Sequence, residues 1–128
     1  MTLLLDTHTL IWYYLTNPNL SAAARTAIED PANTILVSAA SYWEVAIKLA
    51  LQRPIVSVPF GVFVQEAIFD NGFSILPAEP QHCERTISLP FHHRDPFDRL
   101  VAAQALSDGV PLVSADVVFD QYGVRRIW

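Results

Sequence analysis

The chain has 128 residues, of which 52% are hydrophobic and 16% charged, with a formal net charge of −5. That length predicts one domain spanning residues 1–128. The apolar share excludes a disordered chain, and the acidic balance excludes binding nucleic acid through a broad basic surface, though not an enzyme that meets phosphate through a bound metal. The single Cys83 has no internal partner, and neither a secretory leader nor a long apolar span is evident, so a cytoplasmic protein without membrane contact is expected.

Thr2–Leu5 is a continuous apolar run ending at Asp6, the pattern of a buried parallel strand. A mostly apolar helix follows through Leu15 and stops at Asn17-Pro18. Ser21 is placed to cap a helix over Ala22–Glu29, closed by Asp30-Pro31. Ile35–Val37 is a second strand. Ser38–Leu51 is a third helix, with Ser41, Glu44, Lys48 and Gln52 spaced three and four apart as a narrow polar stripe. Pro54 and Pro59 mark a connection to an amphipathic helix over Gly61–Asp70. Phe73–Leu76 is a third strand candidate and Glu79–Leu89 a further helix of weak periodicity. The run from Pro90 to Asp95 delivers a helix over Pro96–Ser107, which Gly109 caps. Val110–Ser114 is a fourth strand, Val117–Gln121 a short helical turn, and Val124–Ile127 an edge strand. Strands alternating with helices predict an α/β sandwich around a mostly parallel sheet of four or five strands.

Four carboxylates occupy comparable places in this pattern. Asp6 and Asp116 follow strands, while Glu44 and Asp98 lie near helix starts. Each has a plain structural explanation as a helix cap. Asp95-Pro96-Phe97-Asp98 fits an N-cap, a first-position proline and a reciprocal acid, and Ser41 to Glu44 fits a capping box. Together they say more, because strand ends and helix starts of a right-handed parallel sheet gather on one edge. An oxygen-rich cluster there suits Mg²⁺ or Mn²⁺. Without metal, mutual repulsion should raise the pKa of at least one of these acids.

Four segments carry a resemblance to a known family: Leu3–Trp12, Ser38–Lys48, Leu89–Ala105 and Leu112–Asp116. In order and spacing the chain resembles PIN-domain ribonucleases, in particular VapC-like toxins of toxin–antitoxin pairs. The resemblance implies a PIN-like three-layer sandwich and an endoribonuclease dependent on Mg²⁺ or Mn²⁺. It implies Asp6, Glu44, Asp98 and Asp116 as the catalytic and metal-holding set, RNA as substrate, a small cognate antitoxin as partner, and homodimerisation. One departure is Gln52, which stands where relatives often carry a helix-ending glycine and puts that turn in doubt.

Other polar residues have two readings each. Thr7 and Ser114, beside two of the acids, can bind a ligand water or phosphate oxygen, or simply cap helices. Arg94 and Arg99 can contact RNA phosphates or stay solvated. Lys48 is expected to pair with Glu44 one turn away. His8, His92 and His93 would hold zinc only if they converged. Trp12, Tyr13, Tyr14 and Trp43 suit core or interface better than base stacking. Two further functions compete: a non-catalytic binding module whose acids are only caps, and a haloacid-dehalogenase-type phosphatase. The phosphatase needs a second Asp two residues after the nucleophile, where this chain has His8.

Overall fold

Leu3, Leu4 and Leu5 are all fully buried, and their alternation divides the core in two. Leu3 and Leu5 pack on one side of the sheet with Leu10, Ala24, Val45 and Phe63, while Leu4 faces Ala102, Ala105, Leu112 and Phe119 on the other. The computed structural model describes residues Met1–Trp128. Its strands are β1 (Thr2–Leu5), β2 (Thr34–Ser38), β3 (Ser74–Leu76), β4 (Leu112–Val113) and β5 (Arg126–Ile127). They form one sheet in the order β3-β2-β1-β4-β5, and every neighbouring pair is parallel.

The helices are α1 (Thr7–Tyr14), α2 (Ala22–Glu29), α3 (Ala39–Ala50), α4 (Phe60–Val64), α5 (Pro80–Ser88) and α6 (Pro96–Asp108). Helix α4 widens into a π-helical turn over Gln65–Phe69, so the helix expected over Gly61–Asp70 is one element of two kinds. A 3-10 turn over Val117–Tyr122 separates β4 from β5. The fourth strand starts later than expected because the two residues before it cannot donate to the sheet. Pro111 has no N–H to offer, and the Val110 N–H closes the end of α6 on the Ala105 carbonyl.

The sheet reverses its winding at β1: β2 and β3 are added on one side, β4 and β5 on the other. The crevice at the carboxyl ends of β1 and β4 is thus the topological switch point, where open α/β sheets bind ligands. Buried polar ties fix the helices that flank it. Ser38 donates to Gln104 Oε1 (2.5 Å), and Gln104 Nε2 donates to the Pro77 carbonyl (3.2 Å), locking the start of α3 against α6. Thr7 Oγ1 donates to Ser41 Oγ (3.0 Å), locking α1 against α3.

Candidate active site

Asp6 ends β1 and is nearly fully buried. It caps α1, its Oδ1 accepting the Thr9 N–H (2.8 Å), and its Oδ2 accepts the Ser114 hydroxyl (2.5 Å). Burial raises its pKa above the ordinary carboxylate value, and those hydrogen bonds oppose the rise. Ser114 Oγ also accepts the Asp116 N–H (3.0 Å), so a single hydroxyl spans the two strand-end acids. Asp116 caps the 3-10 turn through the Val118 N–H (2.9 Å to Oδ1), and its Oδ2 lies 2.6 Å from Nε2 of His93.

Glu44 and Asp98 behave differently from caps. Ser38, not Ser41, is the N-cap of α3, accepting the Ala40 N–H (3.0 Å). Glu44 is only 4% exposed and its carboxylate meets Lys48 Nζ at 2.7 Å, the ion pair expected from their spacing. On α6 the cap is Asp95, whose Oδ1 accepts the Phe97 and Asp98 N–H groups. The expected reciprocal role of Asp98 is absent, since its side chain reaches back to no backbone donor. Its pKa is pushed up to about 7, chiefly by burial and then by Asp95, with Glu44 and Asp6 adding to the rise and His93 opposing it. Asp6 and Glu44 are therefore each within electrostatic reach of Asp98.

This donor set fits a hard divalent cation of the Mg²⁺ kind. It offers carboxylate oxygens, and Asp98 makes no side-chain bond like those of Glu44 to Lys48 and Asp116 to His93. No three His, Cys, Asp or Glu side chains converge closely enough to grip a metal directly. Mg²⁺ does not require that, because it keeps several waters and commonly takes one or two carboxylates. The same observation removes the zinc reading. His8 stacks on Trp12 (5.7 Å), His92 meets Tyr122 edge-on (4.8 Å), and His93 turns to Asp116.

Two expectations are corrected. Arg99 is buried, its guanidinium donating to the carbonyls of Thr86 (2.8 Å), Leu89 (3.0 Å) and Pro90 (2.9 Å) and lying over the Phe91 ring. It is not free to meet phosphate. Thr7 is likewise buried and spends its hydroxyl hydrogen on Ser41, so it braces α1 and α3 rather than facing a ligand. Arg94 is exposed and remains the accessible cation beside α6. Trp12 packs against the main core and Trp128, whereas Trp43 is 61% exposed with its ring edge-on to Phe97. His93, weighed from sequence only as a zinc ligand, instead pairs with Asp116, a contact made only by the fold.

A family model described as the PIN domain matches residues 3–124. Ribonuclease VapC22 of Mycobacterium tuberculosis is 31% identical over 116 residues, covering 90% of this chain and 87% of that protein. Among solved structures, VapBC2 from Rickettsia felis bound to a promoter DNA fragment superposes with a TM-score of 0.71 at 14% identity, covering 98% of this chain and 97% of that one. VapBC-1 from nontypeable Haemophilus influenzae gives 0.68 at 18% identity, covering 98% and 96%. At those identities the two structures speak for the fold.

Proposed function

The chain belongs to the PIN-domain family, and on that premise we propose that it is a metal-dependent endoribonuclease acting as the toxin of a toxin–antitoxin pair. The observation that carries the reading is Asp98: a half-buried acid at the switch-point edge, within electrostatic reach of Asp6 and Glu44 and with no side-chain hydrogen bond or ion pair of its own. Asp6, Asp98 and Asp116 would hold Mg²⁺ or Mn²⁺ directly or through its waters, and Glu44, ion-paired with Lys48, would orient the attacking water. When bound, the cation supplies charge neutralisation at the scissile phosphate and a water acidified to hydroxide. It also offsets the repulsion between RNA and a chain of net charge −5. Ser114 fixes Asp6 relative to Asp116, and Arg94 contacts the RNA backbone.

The partners proposed are RNA, a cognate antitoxin and a second copy of the chain, meeting in the cytoplasm through this one domain. The exposed Trp43 and its neighbour Phe97 form an apolar surface immediately beside Glu44 and Asp98, suited to a peptide that covers the acids. The competing reading, a binding module whose acids are only caps, accounts for Asp6 and Asp116 but leaves Glu44 and Asp98 with nothing to cap. Incubating the purified protein with a pool of single-stranded RNAs, with Mn²⁺ or with a chelator, tests the proposal. Cleavage that requires the metal and falls at least a hundredfold in Asp98→Asn is expected. No metal-dependent cleavage, or undiminished cleavage by the variant, would overturn it.

A further inference from the structure

The loop entering α6 and the turn leaving β4 are joined through one imidazole. A carboxylate only accepts hydrogen bonds, so the 2.6 Å contact between Asp116 Oδ2 and His93 places the hydrogen on Nε2. In a neutral ring Nδ1 is then the acceptor, and the Tyr122 hydroxyl lies 3.0 Å from it. That same hydroxyl oxygen accepts the backbone N–H of His93 at 2.7 Å. The contacts close as a directed sequence: His93 N–H to Tyr122 Oη, Tyr122 O–H to Nδ1, and Nε2–H to Asp116. The ring is clamped as well as bonded, stacked on Tyr122 (5.5 Å between centroids, 15° between planes) and against Phe119 (4.7 Å).

We propose that His93 is a positioning residue for the Asp116 carboxylate, with Tyr122 selecting the imidazole tautomer that donates to it. The proposal rests on the reading of Asp116 as a cation-holding acid. The side chain of Asp116 is 37% exposed, against 10% for His93. Burial therefore does not fix its carboxylate, and one backbone N–H and one imidazole do. With each oxygen held once, the remaining lone pairs of a fixed carboxylate are directed to the cation or its waters. Without His93 the group is free to turn about its last torsion and must be ordered when the cation binds. Partners of this outer kind commonly contribute ten- to a hundredfold in metal affinity. Arg99 supports the arrangement from behind, since its bonds to the carbonyls of Leu89 and Pro90 hold the loop that delivers His93.

The test compares the full chain with His93→Leu, His93→Gln and Tyr122→Phe. Mn²⁺ affinity is measured by calorimetry, the tautomer by ¹⁵N shifts of the imidazole in metal-free protein, and folding by thermal melts. The wild type should show the Nε2–H tautomer. His93→Leu should melt cooperatively yet bind Mn²⁺ about ten- to a hundredfold more weakly. His93→Gln, whose amide can donate from a similar position, should recover most of that loss. Tyr122→Phe keeps both rings and should give a mixture of tautomers with an intermediate affinity, which serves if His93→Leu does not fold. Wild-type Mn²⁺ affinity in His93→Leu, or no recovery in His93→Gln, overturns the positioning role alone. No Mn²⁺ binding by the wild type overturns the cation reading and this proposal with it.

Discussion

Asp98 is the residue at which geometry and charge are most closely linked. Its folded pKa of about 7 stands well above the ordinary value of 3.8, so the folded chain keeps a proton that the unfolded chain releases. Where the unfolded state binds fewer protons, stability falls as pH rises. The contribution is complete below about pH 4 and is lost progressively up to about pH 7. Asp98→Asn removes that titration at nearly constant shape. In chelator, the stability of the variant minus that of the wild type should grow between pH 5 and pH 8, by about 1–2 kcal/mol once screening at a half-exposed position is allowed for. Denaturant titrations at the two pH values measure it, and a difference that is the same at both would refute the assignment. The capping role of Asp95 was legible in the Asp95-Pro96 pair, a local relation, whereas the reciprocal bond that the three-residue spacing led us to expect of Asp98 is not made. The fate of Arg99 was not legible. Its guanidinium is drawn inward by the Thr86 and Leu89 carbonyls at the end of α5, and only the packing of α5 on α6 brings those carbonyls within reach.

Helix ends show a second kind of local rule, followed here with the wrong residues. Helices α1 and α3 close in Schellman geometry and share with α6 the bond that spans five residues, Val110 N–H to the Ala105 carbonyl. The Asn17 N–H bonds the Trp12 carbonyl and the Thr16 N–H bonds that of Tyr13; Arg53 and Gln52 do the same with Lys48 and Leu49. The left-handed residue is Gly109 after α6, but Thr16 (φ 53°) after α1 and Gln52 (φ 58°) after α3. The turn that Gln52 put in doubt is therefore kept, at the steric cost of a Cβ in the left-handed region. Gln52→Gly and Thr16→Gly should each raise stability by about 0.5–1 kcal/mol, the relief of strain exceeding the added freedom of the unfolded chain. Thr16→Gly should gain more, since a β-branched residue suits positive φ least. Equilibrium unfolding would show this, and loss of stability in both variants would contradict the strain argument. The elements were legible where periodicity or caps marked them, as with β1, α2 and α6. The two-residue β4 and the π-helical turn after α4 were not, because pairing partners and packing decide them and no residue pattern announces either.

At the scale of the whole molecule, the proposed site is one that the chain without metal should not favour. The sheet order β3-β2-β1-β4-β5 brings Asp6 and Asp116 to one crevice, and the α3–α6 contact fixed by Ser38 and Gln104 sets Glu44 and Asp98 beside it. Lys48 and His93 answer two of these acids, which leaves the charge of Asp98 for a cation to compensate. On the proposed reading folding and metal binding should be linked, because only the folded chain holds the acids together. Mg²⁺ should stabilise the wild type without a plateau at low excess, reaching about 2.7 kcal/mol at a hundredfold excess over its dissociation constant. Asp98→Asn should start from higher stability at pH 8 in chelator and gain far less from Mg²⁺, so the two stability curves should cross as metal is added. Nonspecific screening by the divalent salt would instead move both proteins equally, as Mg²⁺-free controls in NaCl at matched ionic strength would also do. Parallel curves for wild type and variant would mean that the acids share an edge of the sheet without sharing a metal.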